Sequence, residues 1–175
     1  MLRRVADLTS GCGKAAWLAS VSIERMRRED VDAVRGIDRV SFPSSWSAES
    51  YLRDLRNRSS YYAVARADGE IVGYAGMWLI ADEAHISTLA VRPDRRRCGL
   101  GQRLLIHLME VAQERGAAEI TLEVREANAA ARALYEKFGF KSKGFIPNYY
   151  GDTGENGVVM SLGRGDAEPV EEWPE

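Results

Sequence analysis

The segment Leu89-Ala-Val-Arg-Pro-Asp-Arg-Arg-Arg-Cys-Gly-Leu-Gly-Gln-Arg-Leu-Leu105 constrains this chain more than any other. An apolar strand-like run leads into a basic, glycine-containing turn, which opens a helix with apolar periodicity. The first N–H groups of that helix lack intrahelical partners, and the helix dipole leaves partial positive charge at the same end, so an anion satisfies both. Gly99 and Gly101 carry no Cβ and allow close backbone approach to a diphosphate, while Arg95, Arg96 and Arg97 add fixed charge. The turn therefore predicts a site for a phosphorylated cofactor.

A dinucleotide is the first rival, since Glu123 lies about 20 residues beyond the glycines, where a ribose-binding acid would fall. The third glycine of that fingerprint would be at the position of Leu104, and the stretch between Val91 and Gly99 is too long for its tight turn. A nucleoside-triphosphate loop is excluded because Gly13-Lys14 is followed by Ala15 rather than Ser or Thr. Coenzyme A remains as the best candidate.

With 175 residues, 45% of them hydrophobic and 29% charged, the chain is long enough to bury a core of its own. A net charge of -2 gives no support to general nucleic-acid affinity, so the arginines read as a local site and no direct nucleic-acid partner is expected. Cys12 and Cys98 are far apart, as are His85 and His107. Neither pair has metal-ligand spacing, and two cysteines make no disulfide framework, so no metal and a reducing compartment are expected. Asp7 and Lys14 interrupt the start before an apolar run develops, and no stretch approaches the roughly 20 apolar residues of a membrane span. The expectation is a cytoplasmic protein without membrane contact. Residues 1–20 read as an extension, 21–163 as the domain, and 164–175 as an acidic, solvated tail.

Along the domain, alternation predicts a strand over Val21–Met26, and Glu29 and Asp30 open a helix that ends before Phe42-Pro43. Ser47 caps a second helix through about Asn57. Strands Tyr61–Ala67 and Ile71–Ile80 are joined by Asp68-Gly69, a hairpin signal. A strand over His85–Val91 and the helix 99–116 follow, then a strand Glu119–Val124 and a helix Asn128–Lys137 closed by Gly139. Strands Phe140–Ile146 and Val158–Leu162 flank a polar loop. The expected fold is α/β, a central mixed sheet flanked by helices, with antiparallel hairpins at the start and end and a strand–helix–strand crossover in the middle.

Arg96-Arg-Cys-Gly99-Leu-Gly101 resembles the phosphate loop of the GNAT N-acetyltransferases, and the likeness covers most of residues 21–163. The segment Leu122-Glu-Val-Arg-Glu-Ala-Asn-Ala-Ala-Ala-Arg-Ala-Leu-Tyr-Glu-Lys-Phe-Gly-Phe140, with Asn148-Tyr-Tyr150 after it, is similar to the RimI-type ribosomal-protein alanine N-acetyltransferases. The resemblance implies a GNAT fold and transfer of an acetyl group from acetyl-CoA to the N-terminal amine of a protein, a ribosomal protein in that family. It implies that Leu89, Ala90 and Val91 hold the acetyl-pantetheine arm through their backbone, and that Arg96, Arg97, Cys98, Gly99, Leu100, Gly101 and Gln102 cradle the diphosphate. It further implies that Asn128 holds the pantetheine region, Glu123 is the general base, Tyr135 gives a proton to the leaving thiolate, and Tyr149 and Tyr150 hold the acceptor backbone.

Each residue has a plainer alternative. Asn128 is also a good N-cap, Glu123 alternates with Leu122 and Val124 as a polar strand face would, and Tyr135 shares a helical face with Ala131 and Phe138. The chemistry fits an α-amine, whose deprotonation at pH 7 costs about 1 to 1.4 kcal/mol against about 4.6 kcal/mol for a lysine. A thiolate whose conjugate acid is near 8.5 leaves more readily with a tyrosine donor. A covalent route through Cys98 lacks a base and lies in the phosphate turn, so direct transfer in a ternary complex is expected. Where the RimI-type pattern reads Phe-Pro-Trp-Ser, this chain has Phe42-Pro-Ser-Ser-Trp46-Ser47, two residues longer in a substrate-side loop. A small-amine acetyltransferase and a non-catalytic acetyl-CoA sensor stand as alternative functions.

Overall fold

The computed structural model describes residues 14–163. Cys12, residues 1–13 of the expected extension and the expected tail 164–175 lie outside the described residues. In chain order the elements are α1 (residues 14–20), β1 (Ser22–Arg25), α2 (Val31–Ser41), α3 (Ala48–Asp54), β2 (Ser60–Ala67), β3 (Glu70–Ile80) and β4 (Glu83–Val91), followed by α4 (Leu100–Glu114), β5 (Glu119–Arg125), α5 (Ala129–Lys137), β6 (Lys141–Tyr150) and β7 (Glu155–Gly163). Short 3₁₀ turns at Arg28–Asp30 and Pro93–Arg95 introduce α2 and the basic turn.

The seven strands lie in the order β1-β2-β3-β4-β5-β7-β6. β1 runs antiparallel to β2, β4 parallel to β5 through the α4 crossover, and β7 antiparallel to both β5 and β6. This is the mixed sheet expected from the sequence. The β2–β3 hairpin turns at Asp68 and Gly69 with φ of 51° and 82°, the double left-handed geometry that a two-residue Asp-Gly loop adopts. Ser47 caps α3 by accepting the Ser50 N–H at 3.1 Å.

The chain divides into two compact units. The first takes the described residues up to Met77 with Thr88–Leu108. Its core packs Met26, Val31, Val34, Ile37, Tyr51, Tyr62, Val64, Ile71, Tyr74 and Ala90. Asp38 is buried there and accepts from the Tyr74 hydroxyl and, at 2.8 Å, from the Trp46 N–H. The longer Phe42–Ser47 loop is thus tied to a buried carboxylate, which keeps that charge satisfied. Desolvation drives the Tyr51 and Tyr74 phenols far above their ordinary range, so both stay neutral beside it.

The second unit takes Trp78–Ser87 with the described residues from Met109 onward. Ile120, Leu122, Val124, Tyr135, Phe140, Val158, Met160 and Leu162 are among its buried side chains. Three boundaries differ most from the sequence reading. α3 ends at Asp54, whose carboxylate accepts the Tyr62 hydroxyl at 3.0 Å, and Asn57 instead turns the chain by accepting the Ser59 N–H. β6 extends through Tyr150 and β7 begins at Glu155, so the expected polar loop is a short turn and Tyr149 and Tyr150 lie on a strand.

Candidate active site

In β5 the side chains alternate: Ile120, Leu122 and Val124 are buried, and Thr121, Glu123 and Arg125 face the other way. The parallel register sets His85 of β4 opposite Thr121. Four polar side chains are linked as a result. Thr121 Oγ1 donates to Glu83 Oε1 at 2.7 Å and lies 3.0 Å from His85 Nδ1, while His85 Nε2 lies 3.2 Å from Glu123 Oε2. The indole of Trp78 stacks on the imidazole with ring centres 6.0 Å apart and planes at 23°. The His85 and Glu123 side chains are 26% and 17% exposed, enough for water or an amine to reach the carboxylate.

The β6–β7 hairpin approaches the same carboxylate. The Tyr149 hydroxyl donates to Glu123 Oε2 at 3.2 Å, and Tyr149 meets Tyr150 edge-on with ring centres 5.1 Å apart. Two register shifts in β6, between Ser142 and Gly144 and between Ile146 and Tyr150, together with a left-handed Asn148 at φ 52°, aim these rings. Gly157 is required beneath them: a Cβ there would stand 2.9 Å from ring atoms of Tyr149. Burial and the adjacent Glu123 charge raise the Tyr149 phenol. Burial pushes Tyr150 up to about 12, with Tyr149, Glu123 and Tyr135 each close enough to add to the shift.

Arg125 fixes the hairpin turn. Its guanidinium binds Asp152 at 2.7 and 3.0 Å, donates to Thr153 at 2.8 Å and lies 3.4 Å from Glu155. Glu155 in turn accepts the Ala127 N–H at 2.7 Å ahead of α5. Tyr135 sits within α5, buried against Phe140, and burial pushes its phenol up to about 12. Such a phenol keeps its proton at neutral pH and can only donate it. Asn128 is exposed and caps α5, its Oδ1 accepting the Ala131 N–H at 3.1 Å. The cap uses the acceptor of the amide and leaves its nitrogen donors for other work.

In the first unit the basic turn is shaped by Arg97 and Gly99, at φ 59° and 86°. Arg96 Nε donates to the Val91 carbonyl at 2.9 Å and Nη2 to Ser41 at 3.3 Å, so Arg96 ties the turn to the end of β4. Arg97 is exposed, and Cys98 Sγ donates to the Arg96 carbonyl at 3.5 Å. Leu100 is buried, so it can offer a ligand only its backbone; the α4 ladder starts with Arg103 N–H to the Gly99 carbonyl, and the amides before it face the turn. Leu89 is half-buried, and Ala90 and Val91 are buried, beyond the parallel register that ends at Ile86. α1, part of the expected extension, packs on this turn: Arg95 lies 5.1 Å over the Trp17 ring, Arg103 donates to the Leu18 carbonyl, and a Leu18 methyl reaches within 3.0 Å of the Cβ position at Gly99.

The structure thus gathers Glu123, Tyr149 and Tyr150, and adds His85, Thr121, Glu83 and Arg125, which the sequence reading did not single out. The alternation of polar residues along Glu83–His85 and Thr121–Arg125 was the available signal.

Residues 31–140 match the model of the acetyltransferase (GNAT) family. The chain is 38% identical over 140 residues to a putative ribosomal protein bS18-alanine N-acetyltransferase of Bacillus subtilis, covering 79% of this chain and 93% of that protein. Among solved structures it is similar to the ribosomal-protein-S18-alanine N-acetyltransferase of Escherichia coli, with a TM-score of 0.76 at 30% identity, covering 89% of this chain and 99% of that one. It is also similar to Naa50 of Arabidopsis thaliana in complex with the bisubstrate analogue CoA-Ac-MVNAL, with a TM-score of 0.72 at 26% identity over 82% of this chain and 98% of that one.

Proposed function

Because the chain belongs to the GNAT acetyltransferase family, we propose that residues 21–163 form a catalytic domain that carries the acetyl group of acetyl-CoA to the N-terminal α-amine of a protein, first among them ribosomal protein bS18. The observation that supports this reading is the Tyr149 hydroxyl donating to the Glu123 carboxylate at 3.2 Å: in this reading the hairpin holds peptide backbone and Glu123 is the base beside it. Identity to the B. subtilis protein over almost its full length supports the acceptor. With a ribosomal acceptor the cytoplasm is the compartment, and residues 1–20 and 164–175 flank the catalytic part.

In this reading the amides at Gly99–Gln102, with Arg96 and Arg97, hold the diphosphate at the N-terminus of α4. Leu89–Val91 hold the pantetheine arm through their backbone, and Asn128 holds it through its side-chain nitrogen. Tyr149 and Tyr150 hold the acceptor, and Glu123 takes the amine proton through water. The freed lone pair attacks the thioester carbon, the carbon–nitrogen bond forms, the carbon–sulfur bond breaks, and the nitrogen sheds its second proton to solvent. The sulfur leaves with its electron pair and takes the Tyr135 proton, which a phenol held at about 12 still carries. Solvent exchange then restores Tyr135 and Glu123.

The test is thiol release from acetyl-CoA with a panel of N-terminal peptides and small amines. A bS18 N-terminal peptide is expected to turn over with the highest kcat/KM. Turnover confined to small amines, or binding of acetyl-CoA without turnover on any acceptor, would replace this reading.

A further inference from the structure

Donors and acceptors around His85 can be counted. Thr121 has one hydroxyl proton, and at 2.7 Å it goes to the Glu83 carboxylate. The 3.0 Å contact from Thr121 Oγ1 to His85 Nδ1 then requires a proton on Nδ1. In the neutral ring this leaves Nε2 as a lone pair set 3.2 Å from a Glu123 carboxylate oxygen, a repulsive contact until one proton enters it. Tyr149 donates to that same oxygen from β6, and Trp78 covers a face of the ring from β3. The groups that meet the imidazole are Thr121, Glu123 and Trp78, with Glu83 acting through Thr121 and Tyr149 through Glu123.

We propose that His85 is a positioning residue for the base, and that the space between His85 Nε2 and Glu123 Oε2 is a seat for the proton that the acceptor's α-ammonium gives up before attack. The inference rests on Glu123 being the base for acetyl transfer. The acceptor's α-ammonium gives its proton to Glu123, where it comes to rest between the two side chains and frees the lone pair for attack; the second proton, shed by the nitrogen once the carbon–nitrogen bond has formed, goes to solvent and balances the one that leaves Tyr135 for the departing sulfur, and exchange with water resets both side chains. Without His85 the protonated carboxyl has no acceptor with which to share its proton, and the proton must stay on Glu123 alone.

Two measurements test this. The chain has two histidines, so nitrogen-15 spectra of the wild type against His85→Gln assign the His85 ring. In the free enzyme the neutral ring is expected to carry its proton on Nδ1; a neutral ring protonated on Nε2 overturns the proposal. Kinetically, His85→Gln is expected to lower kcat/KM for a bS18 N-terminal peptide about tenfold or more at pH 7, with the deficit shrinking toward pH 9 as the amine arrives already deprotonated. The KM for acetyl-CoA should not move. A deficit that is the same at every pH would mark a merely structural role and overturn the proposal, as would a wild-type profile in the variant. If the wild type acetylates no N-terminal peptide, the functional reading fails by itself, and the ring spectra still decide whether the seat exists.

Discussion

The guanidinium carbon of Arg125 lies 3.9 Å from the centre of the Tyr150 ring, in van der Waals contact with the face of an aromatic that the acceptor is proposed to meet. The same group binds three side chains of the β6–β7 turn, so one residue of β5 determines where the hairpin stands. Arg125→Ala is expected to raise the KM for peptide, leave acetyl-CoA affinity unchanged and cost on the order of 2 kcal/mol of stability. Arg125→Lys should not restore the wild-type KM, because an ammonium cannot grip Asp152 with two bonds and stack flat on Tyr150 together. Peptide-titration kinetics with calorimetric acetyl-CoA binding check both.

Glu123→Gln keeps the shape of the carboxylate and removes its basicity, and Tyr135→Phe removes only a hydroxyl. Each is expected to lower kcat by about 10²-fold or more with acetyl-CoA binding retained. Equilibrium dialysis with single-turnover rates separates the two effects, and unchanged kcat in both variants removes these roles.

The buried Tyr135 phenol, held up at about 12, makes stability depend on alkaline pH. In the unfolded chain a tyrosine ionises near 10, so the folded state binds this proton more tightly. Its stabilisation is fully present below about pH 10 and is lost as pH rises to about 12, on the order of 2–3 kcal/mol in all. Urea unfolding at pH 9 and pH 11 should show the fall, and Tyr135→Phe should flatten it.

Gly157→Ala puts a methyl group 2.9 Å from Tyr149 ring atoms that lie next to the backbone and cannot swing aside without moving β6. A cost of about 1–3 kcal/mol is expected from overpacking, with a loss of activity beyond it because the ring that donates to Glu123 is displaced. Thermal unfolding and peptide turnover, measured on one preparation, distinguish the two.

Cys98→Ala should leave turnover within about twofold, since its thiol spends its one weak hydrogen bond on the Arg96 carbonyl and direct transfer needs no acyl-enzyme. Loss of kcat with normal acetyl-CoA affinity would reopen the covalent route.

Local chemistry was legible wherever a residue type has few conformational choices. Asp68-Gly69 announced its hairpin, Ser47 its cap, and Gly139 its left-handed helix stop at φ 87°. The end of β6 was not legible, because Pro147 and Asn148 break the alternation that marks a strand; pairing with β7 carries the strand past them through a register shift. His85 was invisible as a functional residue for another reason. Its partners lie 36 and 38 positions away, and only the β4–β5 register brings them within reach. Asn128 shows the converse case, where a cap read from sequence and a proposed ligand contact use different atoms of one amide.

β6 is the outermost strand of the sheet, and it exposes Phe145, Ile146 and Tyr149. A long, flat, greasy border of this kind invites another chain to add itself and begin aggregation. Pro147, which has no N–H to offer, and the two register shifts spoil that template. The interruptions that aim Tyr149 at Glu123 therefore also guard the molecule against self-association, and a variant that straightened this strand would risk insolubility before its chemistry could be assayed.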